Sequence, residues 1–140
     1  MEKIYVDELN YATDGSAGLD IPSAEDFIIA PHGMHIVSTN LYLRPRQEDK
    51  NNEDDKYPKS ISYFEIAGRS SLAVKMITAH PGIIDMDYPG EIKVVLFNLS
   101  PNEFKRSKGD NIAQLVCKSC VQIKKPQSVQ RTGGFGSTGN

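Results

Sequence analysis

The feature that most constrains the fold is a succession of short apolar runs without a helical period. Seven such runs, rich in β-branched and aromatic residues, lie at 3–6, 27–30, 35–38, 41–43, 60–67, 92–99 and 111–116. Turn-forming residues separate them, as at 31–33, 89–90 and 108–110. The pattern predicts an all-β sandwich, jelly roll or barrel, with at most one short helix at 70–74.

Charge and hydrophobicity narrow the class of protein. The 140 residues carry 16 Lys and Arg against 18 Asp and Glu, a formal net charge of −2. Because gripping a nucleic-acid backbone requires concentrated positive charge, this balance argues against a polymeric nucleic-acid partner. No apolar run is long enough to span a membrane, and residues 1–10 lack the features of a signal peptide. The sequence therefore predicts one domain, located in the cytoplasm or the nucleus.

Two local features have plain structural interpretations. Segment 47–59 is polar and charged with both signs, which is typical of a solvated hairpin loop, with partner binding as the alternative. Cys117 and Cys120 form a C-x-x-C pair, as in redox motifs and half zinc sites. Since the three histidines are scattered and no second ligand pair exists, two reduced thiols on a strand are favoured.

The stretch RTGGFGSTG at 131–139 is suited to holding phosphate. Its glycines let backbone N–H groups converge on an anion, Ser137 and Thr138 add hydroxyl donors, and Arg131 adds a charged fork. Phe135, isolated among glycines, is suited to closing over a flat base. A disordered tail is the alternative interpretation.

Two further segments carry charged residues at turns. Arg69, Ser70 and Ser71 follow the run 60–67 and indicate an oxyanion site at the start of a short helix, where a serine could equally be an N-cap. Asp85 and Asp87 lie in 79–92 between two Pro-Gly turns, which predicts a tight hairpin with both carboxylates on one side of the pleat. They could bind a metal, act as a base or simply form the turn.

Two polar residues that stand among apolar neighbours complete the list of candidate site residues. Asp20 follows a glycine within 16–22 and stands between apolar neighbours, as a strand-edge aspartate also would. Gln114 lies among apolar residues of the strand within 109–116, where its amide needs a hydrogen-bonding partner. Neither residue predicts a chemistry by itself.

In this order, the five segments resemble the five motifs of the trimeric deoxyuridine triphosphatase (dUTPase) family. The matching stretches are AGLDI (17–21), GRSSLA (68–73), GIIDMDYPGEI (82–92), GDNIAQLV (109–116) and RTGGFGSTG (131–139). The resemblance covers nearly the whole chain and implies a distorted jelly roll, or β-clip barrel, at 1–128. It further implies a flexible glycine-rich arm at 129–140 that is exchanged between subunits of a homotrimer. The implied reaction is Mg²⁺-dependent hydrolysis of dUTP to dUMP and pyrophosphate, at sites built between subunits.

The resemblance also implies a role for individual residues. Asp85 would be the general base for the water that attacks the α-phosphate, and Tyr88 would pack beneath the deoxyribose and exclude a 2′-hydroxyl. Asp20 would act on Mg²⁺ through bound water, and main-chain groups of the hairpin 79–88 would recognise uracil. The other implied substrate-binding residues are Arg69, Ser70, Ser71, Gly82, Ile83, Ile84, Lys93, Gln114, Arg131, Phe135, Gly136, Ser137 and Thr138.

Two alternatives remain open at this point. The dCTP deaminases share the implied fold, but they need an additional acid–base pair and lack an arm of this form. A regulatory binding module switched by dUTP is the second alternative, against which the presence of Asp85 argues.

Overall fold

The computed structural model describes residues 2–45 and 56–124 as ten short strands, one 3₁₀ turn and one α-helix. In chain order the elements are β1 (Ile4–Tyr5), the 3₁₀ turn (Val6–Glu8), β2 (Gly18–Pro22), β3 (Phe27–Ile29), β4 (Met34–Tyr42), β5 (Lys59–Ala67), α1 (Ser70–Ala73), β6 (Ile77–Ala79), β7 (Ile83–Ile84), β8 (Ile92–Asn98), β9 (Phe104–Arg106) and β10 (Asn111–Gln122).

The strands form three sheets around one apolar core. The first sheet has the order β1-β4-β8-β6, the second β2-β10-β5-β7, and β3 pairs with β9 in the third. Every pairing is antiparallel except that of β1 with β4. The all-β prediction is confirmed, and so is the single short helix at 70–74.

The core follows from the alternation of side chains along each strand. On β8 the buried apolar residues are Ile92, Val94 and Leu96, while the residues between them are half-buried on the outer face. Ile21 and Leu115 supply the second sheet's contribution and are at most 1% exposed. The residues between the buried positions, among them Lys93 on β8 and Gln114 on β10, therefore lie on the outer faces, where a site can form.

The strand predictions were right about most positions and wrong about two. Runs 35–38 and 41–43 belong to one strand, β4, whose register against β8 shifts between Val37 and Leu41. Asn40, with φ of 57°, interrupts the apolar alternation at this bulge, which is why the sequence reads as two strands. The run at 111–116 continues as β10 to Gln122, and β2, β6, β7 and β9 were not predicted as strands.

Several expectations fall on residues outside the described ranges. These include the proposed arm at 129–140 and residues 47–55 of the charged segment. Cys117 and Cys120 are both free and exposed, and the reduced-thiol interpretation stays a prediction. Within residues 2–45 and 56–124, no helix has the length and apolar character needed to cross a membrane. The division into a domain at 1–128 and an arm stays a prediction.

Candidate active site

Gln114 and Asp20 are brought side by side by the pairing of β10 with β2. The two residues are register partners, and both are half-buried. The side chain of Gln114 lies across Gly18, since a Cβ at Gly18 would stand only 2.4 Å from its Oε1. Its Nε2 donates to the carbonyl oxygen of Gly68 at 2.9 Å. Gln114 thereby obtains the partner that the sequence required and spans from β2 to the end of β5.

The loop after β5 places Arg69 beside this glutamine. Gly68, which follows β5, accepts the hydrogen bond from Gln114, and the next residue, Arg69, donates through Nη1 to the carbonyl oxygen of Asn111 at 3.0 Å. We call Asp20, Gly68, Arg69 and Gln114 the ladder cluster: strand pairing positions Asp20 and Gln114, and the two hydrogen bonds just described connect Gly68 and Arg69 to β10. It presents one cation, one carboxylate and one amide at the same end of the second sheet.

Helix α1 starts one residue earlier than the serine-cap interpretation required. Its N-cap is Arg69, in extended conformation and without a side-chain cap hydrogen bond. Ser70 and Ser71 are therefore the first two helical residues, both exposed, and the N-cap alternative for them is wrong. Leu72, only 4% exposed, anchors the short helix in the core and so fixes where the two hydroxyl groups stand.

Asp85 begins a turn that runs to Tyr88. The N–H of Tyr88 donates to the carbonyl oxygen of Asp85 at 3.0 Å, and Asp85 itself is half-buried. The Tyr88 hydroxyl donates to the carbonyl oxygen of Glu91 at 2.9 Å. We call residues 85–88 the catalytic turn, after the role that the family resemblance implies for Asp85. Asp87 is exposed within it, so the prediction that both aspartates lie on one pleated face is wrong: they belong to a turn.

A glycine allows the Tyr88 ring to take this position. A Cβ at Gly90 would lie 2.8 Å from the phenol oxygen and 2.9 Å from Cζ. Contacts that short do not occur with a real Cβ, so the ring rests directly on the backbone of Gly90. The orientation of Tyr88 is thus fixed both by its hydrogen bond and by the missing side chain beneath it.

The segment 79–88 connects the two large sheets. Strand β6 pairs with β8 of the first sheet, whereas β7 pairs with β5 of the second. The N–H of His80 donates to Val95, and the carbonyl oxygen of Gly82 accepts from Ile66, each at 2.8 Å. The tight-hairpin prediction therefore needs correction, because strands in different sheets hold the two arms of the segment. Ile83 and Ile84 form β7, and Ile83 is 64% exposed.

The catalytic turn and the ladder cluster do not meet within one chain. Ile84, just before the turn, pairs with Phe64, whereas Gln114 pairs with Ala67 on the opposite edge of the same strand β5. Phe64 and Ala67 are three residues apart, so at 3.3–3.4 Å per residue Ile84 and Gln114 are separated by roughly 10 Å of strand as well as by the width of β5. The structure therefore presents two half-sites.

Lys93, Arg131 and the remaining arm residues fall outside both groups. Lys93 is half-buried on the outer face of β8, between the buried Ile92 and Val94. Arg131, Phe135, Gly136, Ser137 and Thr138 lie outside the described residues. Their roles stay predictions.

Three residues that position the site were missed by the sequence reasoning: Gly18, Gly90 and Glu91. Gly18 stands two positions before Asp20, and Gly90 two positions after Tyr88. Along β2, the residue two positions from Asp20 shares its face, and a glycine there leaves that face open. This spacing is the signal that could have found Gly18. Gly90 follows Tyr88 outside any strand, so the alternation does not apply to it, and the structural part played by Glu91 has no comparable signal in the sequence.

An apolar cavity of about 490 Å³ was also not predicted. Its lining includes Leu9, Leu19, Phe64, Met86 and Cys117, and it touches the catalytic turn through Met86 alone. The Asp7–Arg44 ion pair, 2.7 Å long, also lines it. The Arg44 guanidinium holds the pKa of Asp7 below its usual range through this hydrogen bond.

Comparison with known proteins identifies the family. The model of the dUTPase family matches residues 57–139, which is more than half of the chain. The chain belongs to the dUTPase family.

Two relatives and one solved structure show how far the similarity to other dUTPases extends. The deoxyuridine 5′-triphosphate nucleotidohydrolase of Helicobacter pylori (strain ATCC 700392 / 26695) is 35% identical, covering 99% of this chain and 94% of that protein. The Saccharomyces cerevisiae enzyme of the same name is 38% identical, over 89% of this chain and 82% of its own. The structure of a dUTPase variant from phage phi11 of S. aureus, described with a structural Mg(II) ion, has a TM-score of 0.66 at 17% identity and covers 90% and 91% of the two chains. That structure supports the jelly-roll fold expected for a dUTPase.

Proposed function

We propose that this dUTPase-family enzyme hydrolyses dUTP to dUMP and pyrophosphate by in-line attack of water on the α-phosphate. The observation that carries the proposal is the alignment, over 99% of the chain, with a relative named for this reaction. The half-sites add the chemistry: a carboxylate in a fixed turn, and a cation, an amide and two hydroxyls at the end of a sheet. These are the groups that a nucleoside triphosphate requires.

Asp85 is the proposed general base. A carboxylate is ionised at neutral pH and can hold a water by a charged hydrogen bond while accepting its proton. The bond from the Tyr88 N–H to the Asp85 carbonyl oxygen fixes the backbone that carries this side chain. Position matters because a base must stand within hydrogen-bonding distance of the proton that it removes.

Tyr88 is the residue proposed to discriminate between deoxyribose and ribose. Its ring is held from beneath by Gly90 and at its tip by the Glu91 carbonyl oxygen. A ring fixed in this way can pack under a deoxyribose and exclude a 2′-hydroxyl by its volume. Exclusion by volume demands a rigid wall, because a soft pocket discriminates small substituents only weakly.

Uracil is proposed to be recognised by the main chain of 79–88, through backbone N–H and C=O groups that are not paired with neighbouring strands. The His80 N–H and the Gly82 carbonyl oxygen already bond to neighbouring strands, which holds the segment rigid. The remaining backbone groups of Gly82, Ile83 and Ile84 are the proposed uracil donors and acceptors. Donors and acceptors fixed for uracil leave buried groups unpaired when cytosine enters, which is a strong basis for rejection.

The phosphates of the substrate are proposed to bind to Arg69, Ser70, Ser71 and Gln114, and Lys93 is proposed as a further cation that contacts them. A guanidinium has five N–H donors, so the bond from Arg69 to Asn111 orients the group and leaves capacity for phosphate. Ser70 and Ser71 offer exposed hydroxyls beside it. Charge-assisted bonds of this kind stabilise the charge that develops during phosphoryl transfer.

Asp20 is the proposed contact to Mg²⁺. In the described residues, no group of three or more His, Cys, Asp or Glu residues could hold a metal ion. One carboxylate, half-buried and facing Gln114, fits a hard cation that keeps its waters and is held mainly by substrate phosphates. Bound Mg²⁺ would offset the charge of the triphosphate and orient it.

A complete site is proposed to need more than one copy of the chain. The separation of the two groups, roughly 10 Å along β5 as well as the width of that strand, supports a site in which the catalytic turn of one subunit faces the ladder cluster of another. From the family resemblance we propose that this assembly is a homotrimer, closed by Arg131, Phe135, Gly136, Ser137 and Thr138 of the arm. A cytoplasmic or nuclear location likewise stays a prediction.

The function is tested by the release of pyrophosphate from dUTP, UTP and dCTP, together with the native mass of the particle. Turnover of dUTP alone, lost with EDTA and restored with Mg²⁺, by a particle of three chains is the expected result. Ammonia release from dCTP, or nucleotide binding without turnover, would contradict it.

A further inference from the structure

Three successive backbone N–H groups at the bulge of β4 are each held by a carboxylate. Ser38 donates to Oε2 of Glu25 at 2.8 Å, while Thr39 and Asn40 both donate to Oε2 of Glu91 at 3.0 Å. The bulge breaks the register of β4 against β8, so these groups need partners outside the ladder. Hydrogen bonds to an ionised acceptor are about twice as strong as neutral ones, so the two carboxylates close the bulge firmly.

Glu91 is also bonded to the catalytic turn. Its carbonyl oxygen accepts the Tyr88 hydroxyl at 2.9 Å, and Gly90, the residue before it, lies under the Tyr88 ring. One residue thus bonds the bulge through its side chain and the tyrosine through its backbone. A displacement of the Glu91 backbone would be transmitted to the tip of the ring.

The position of this ring sets how sharply a 2′-hydroxyl is excluded. The difference between dUTP and UTP is one hydroxyl group, and a yielding pocket rejects such a group by only about 10²-fold or less. Holding the ring in place requires an anchor that does not move. The Thr39 side chain reinforces that anchor, because its hydroxyl donates to the carbonyl oxygen of Ile92, the residue after Glu91.

We propose that Glu91 is a positioning residue for sugar discrimination: its carboxylate closes the bulge and thereby fixes the carbonyl group that holds Tyr88 against the sugar. This inference rests on the proposed function, in which Tyr88 reads the deoxyribose. Glu91 need not touch the substrate, and it acts through the ring alone. Recognition of the base, which depends on the main chain of 79–88, is independent of it.

Glu25 provides a matched control. It is a second glutamate on the same bulge, where it accepts from Ser38 and pairs with His35 at 2.9 Å, and no hydrogen bond joins it to Tyr88 among the described residues. If Glu91 merely supports the bulge, then loss of either carboxylate should have the same effect on specificity. If it positions Tyr88, only the loss of Glu91 should matter.

The test compares kcat/KM for dUTP, UTP and dCTP across the full-length protein and five variants: Glu91→Ala, Glu91→Gln, Tyr88→Phe, the double variant Tyr88→Phe with Glu91→Ala, and Glu25→Ala. Glu91→Ala is expected to raise the UTP-to-dUTP ratio by about tenfold or more, while the dCTP-to-dUTP ratio stays unchanged. Glu91→Gln should recover most of the discrimination, because its amide oxygen can still accept hydrogen bonds from both N–H groups.

Tyr88→Phe keeps the ring but loses the hydrogen bond to Glu91, so the UTP-to-dUTP ratio should rise. Adding Glu91→Ala to Tyr88→Phe should raise the ratio little further. Glu25→Ala should leave both ratios unchanged.

Three results would overturn the inference: an unchanged UTP ratio in folded Glu91→Ala, an equal rise in Glu25→Ala, or full additivity of Glu91→Ala with Tyr88→Phe. If Glu91→Ala does not fold, Tyr88→Phe decides, and an unchanged UTP ratio in that variant would have the same consequence. Absence of dUTP turnover by the unsubstituted protein would instead refute the proposed function, and the inference with it.

Discussion

The two half-sites use the same local device but are held in different ways. In the ladder cluster, Gln114 lies across Gly18, and in the catalytic turn, Tyr88 lies across Gly90. The register of β10 with both β2 and β5 fixes Gln114. The catalytic turn instead follows a two-residue strand, and at its far end the Tyr88 hydroxyl donates to the carbonyl oxygen of Glu91.

This difference indicates which half-site tolerates change. The Gln114 backbone can move only if pairings that run the length of β10 are disturbed, whereas its side chain is held across Gly18 and on Gly68. The contacts of Tyr88 with Glu91 and Gly90 lie outside the strands. We therefore expect substitutions at these contacts to displace the catalytic turn more readily than they displace the backbone of β10.

The largest expected effect comes from the catalytic turn itself. Asp85→Asn should reduce dUTP turnover by about 10²-fold or more while dUTP still binds, because the amide cannot accept the proton of the attacking water. Single-turnover kinetics and a binding titration measure the two quantities separately. Asp87→Asn, an exposed aspartate of the same turn, is the control and should keep full turnover. Equal losses of dUTP turnover in the two variants would contradict the role of Asp85 as the general base.

The ladder cluster should respond more moderately. In Gly18→Ala the new Cβ would stand 2.4 Å from Oε1 and 2.9 Å from Cβ of Gln114, so the amide must leave its place on Gly68. We expect kcat/KM for dUTP to fall about tenfold, and the free energy of unfolding to fall by about 1–3 kcal/mol as in other overpacked sites. Gly15→Ala has no atom within 4 Å of its new Cβ and should change neither quantity. Wild-type kinetics in folded Gly18→Ala would show that the orientation of Gln114 is unimportant.

The sequence predicted the sheets better than it predicted the site. Alternation in β5, β8 and β10 identified these strands because one face of each packs on a core, and periodicity records that directly. It could not show that β6 and β7 pair with different sheets, since this depends on contacts between distant residues. Nor could it predict the bulge at 38–40, because the N–H groups of Thr39 and Asn40 are satisfied by Glu91, some fifty positions away, rather than by a local pattern.

The smallest expected effect concerns the other carboxylate of the bulge. Burial raises the pKa of Glu25, but the hydrogen bonds from the Ser38 N–H and His35 outweigh it and hold the pKa below its usual range. Because the pKa of Glu25 is lower in the folded protein than in the unfolded chain, the ionised carboxylate stabilises the fold at pH values above the unfolded-state pKa. This stabilisation is lost as the pH falls through the folded-state pKa. Glu25→Gln should therefore lower the free energy of unfolding by about 0.5–1 kcal/mol at pH 7. Denaturant unfolding should show this difference shrinking towards pH 3, and a difference that grows there would contradict the assignment.

The most direct test of the account is to mix two inactive variants that each damage one half-site. Asp85→Asn removes the base from the catalytic turn and Arg69→Ala removes the cation from the ladder cluster, so neither assembles a working site alone. If each site combines the two half-sites from different copies, unfolding and refolding the variants together should restore dUTP hydrolysis to about a quarter of the wild-type rate by random mixing. Activity no greater than the sum of the separate variants would show that one chain must supply both half-sites.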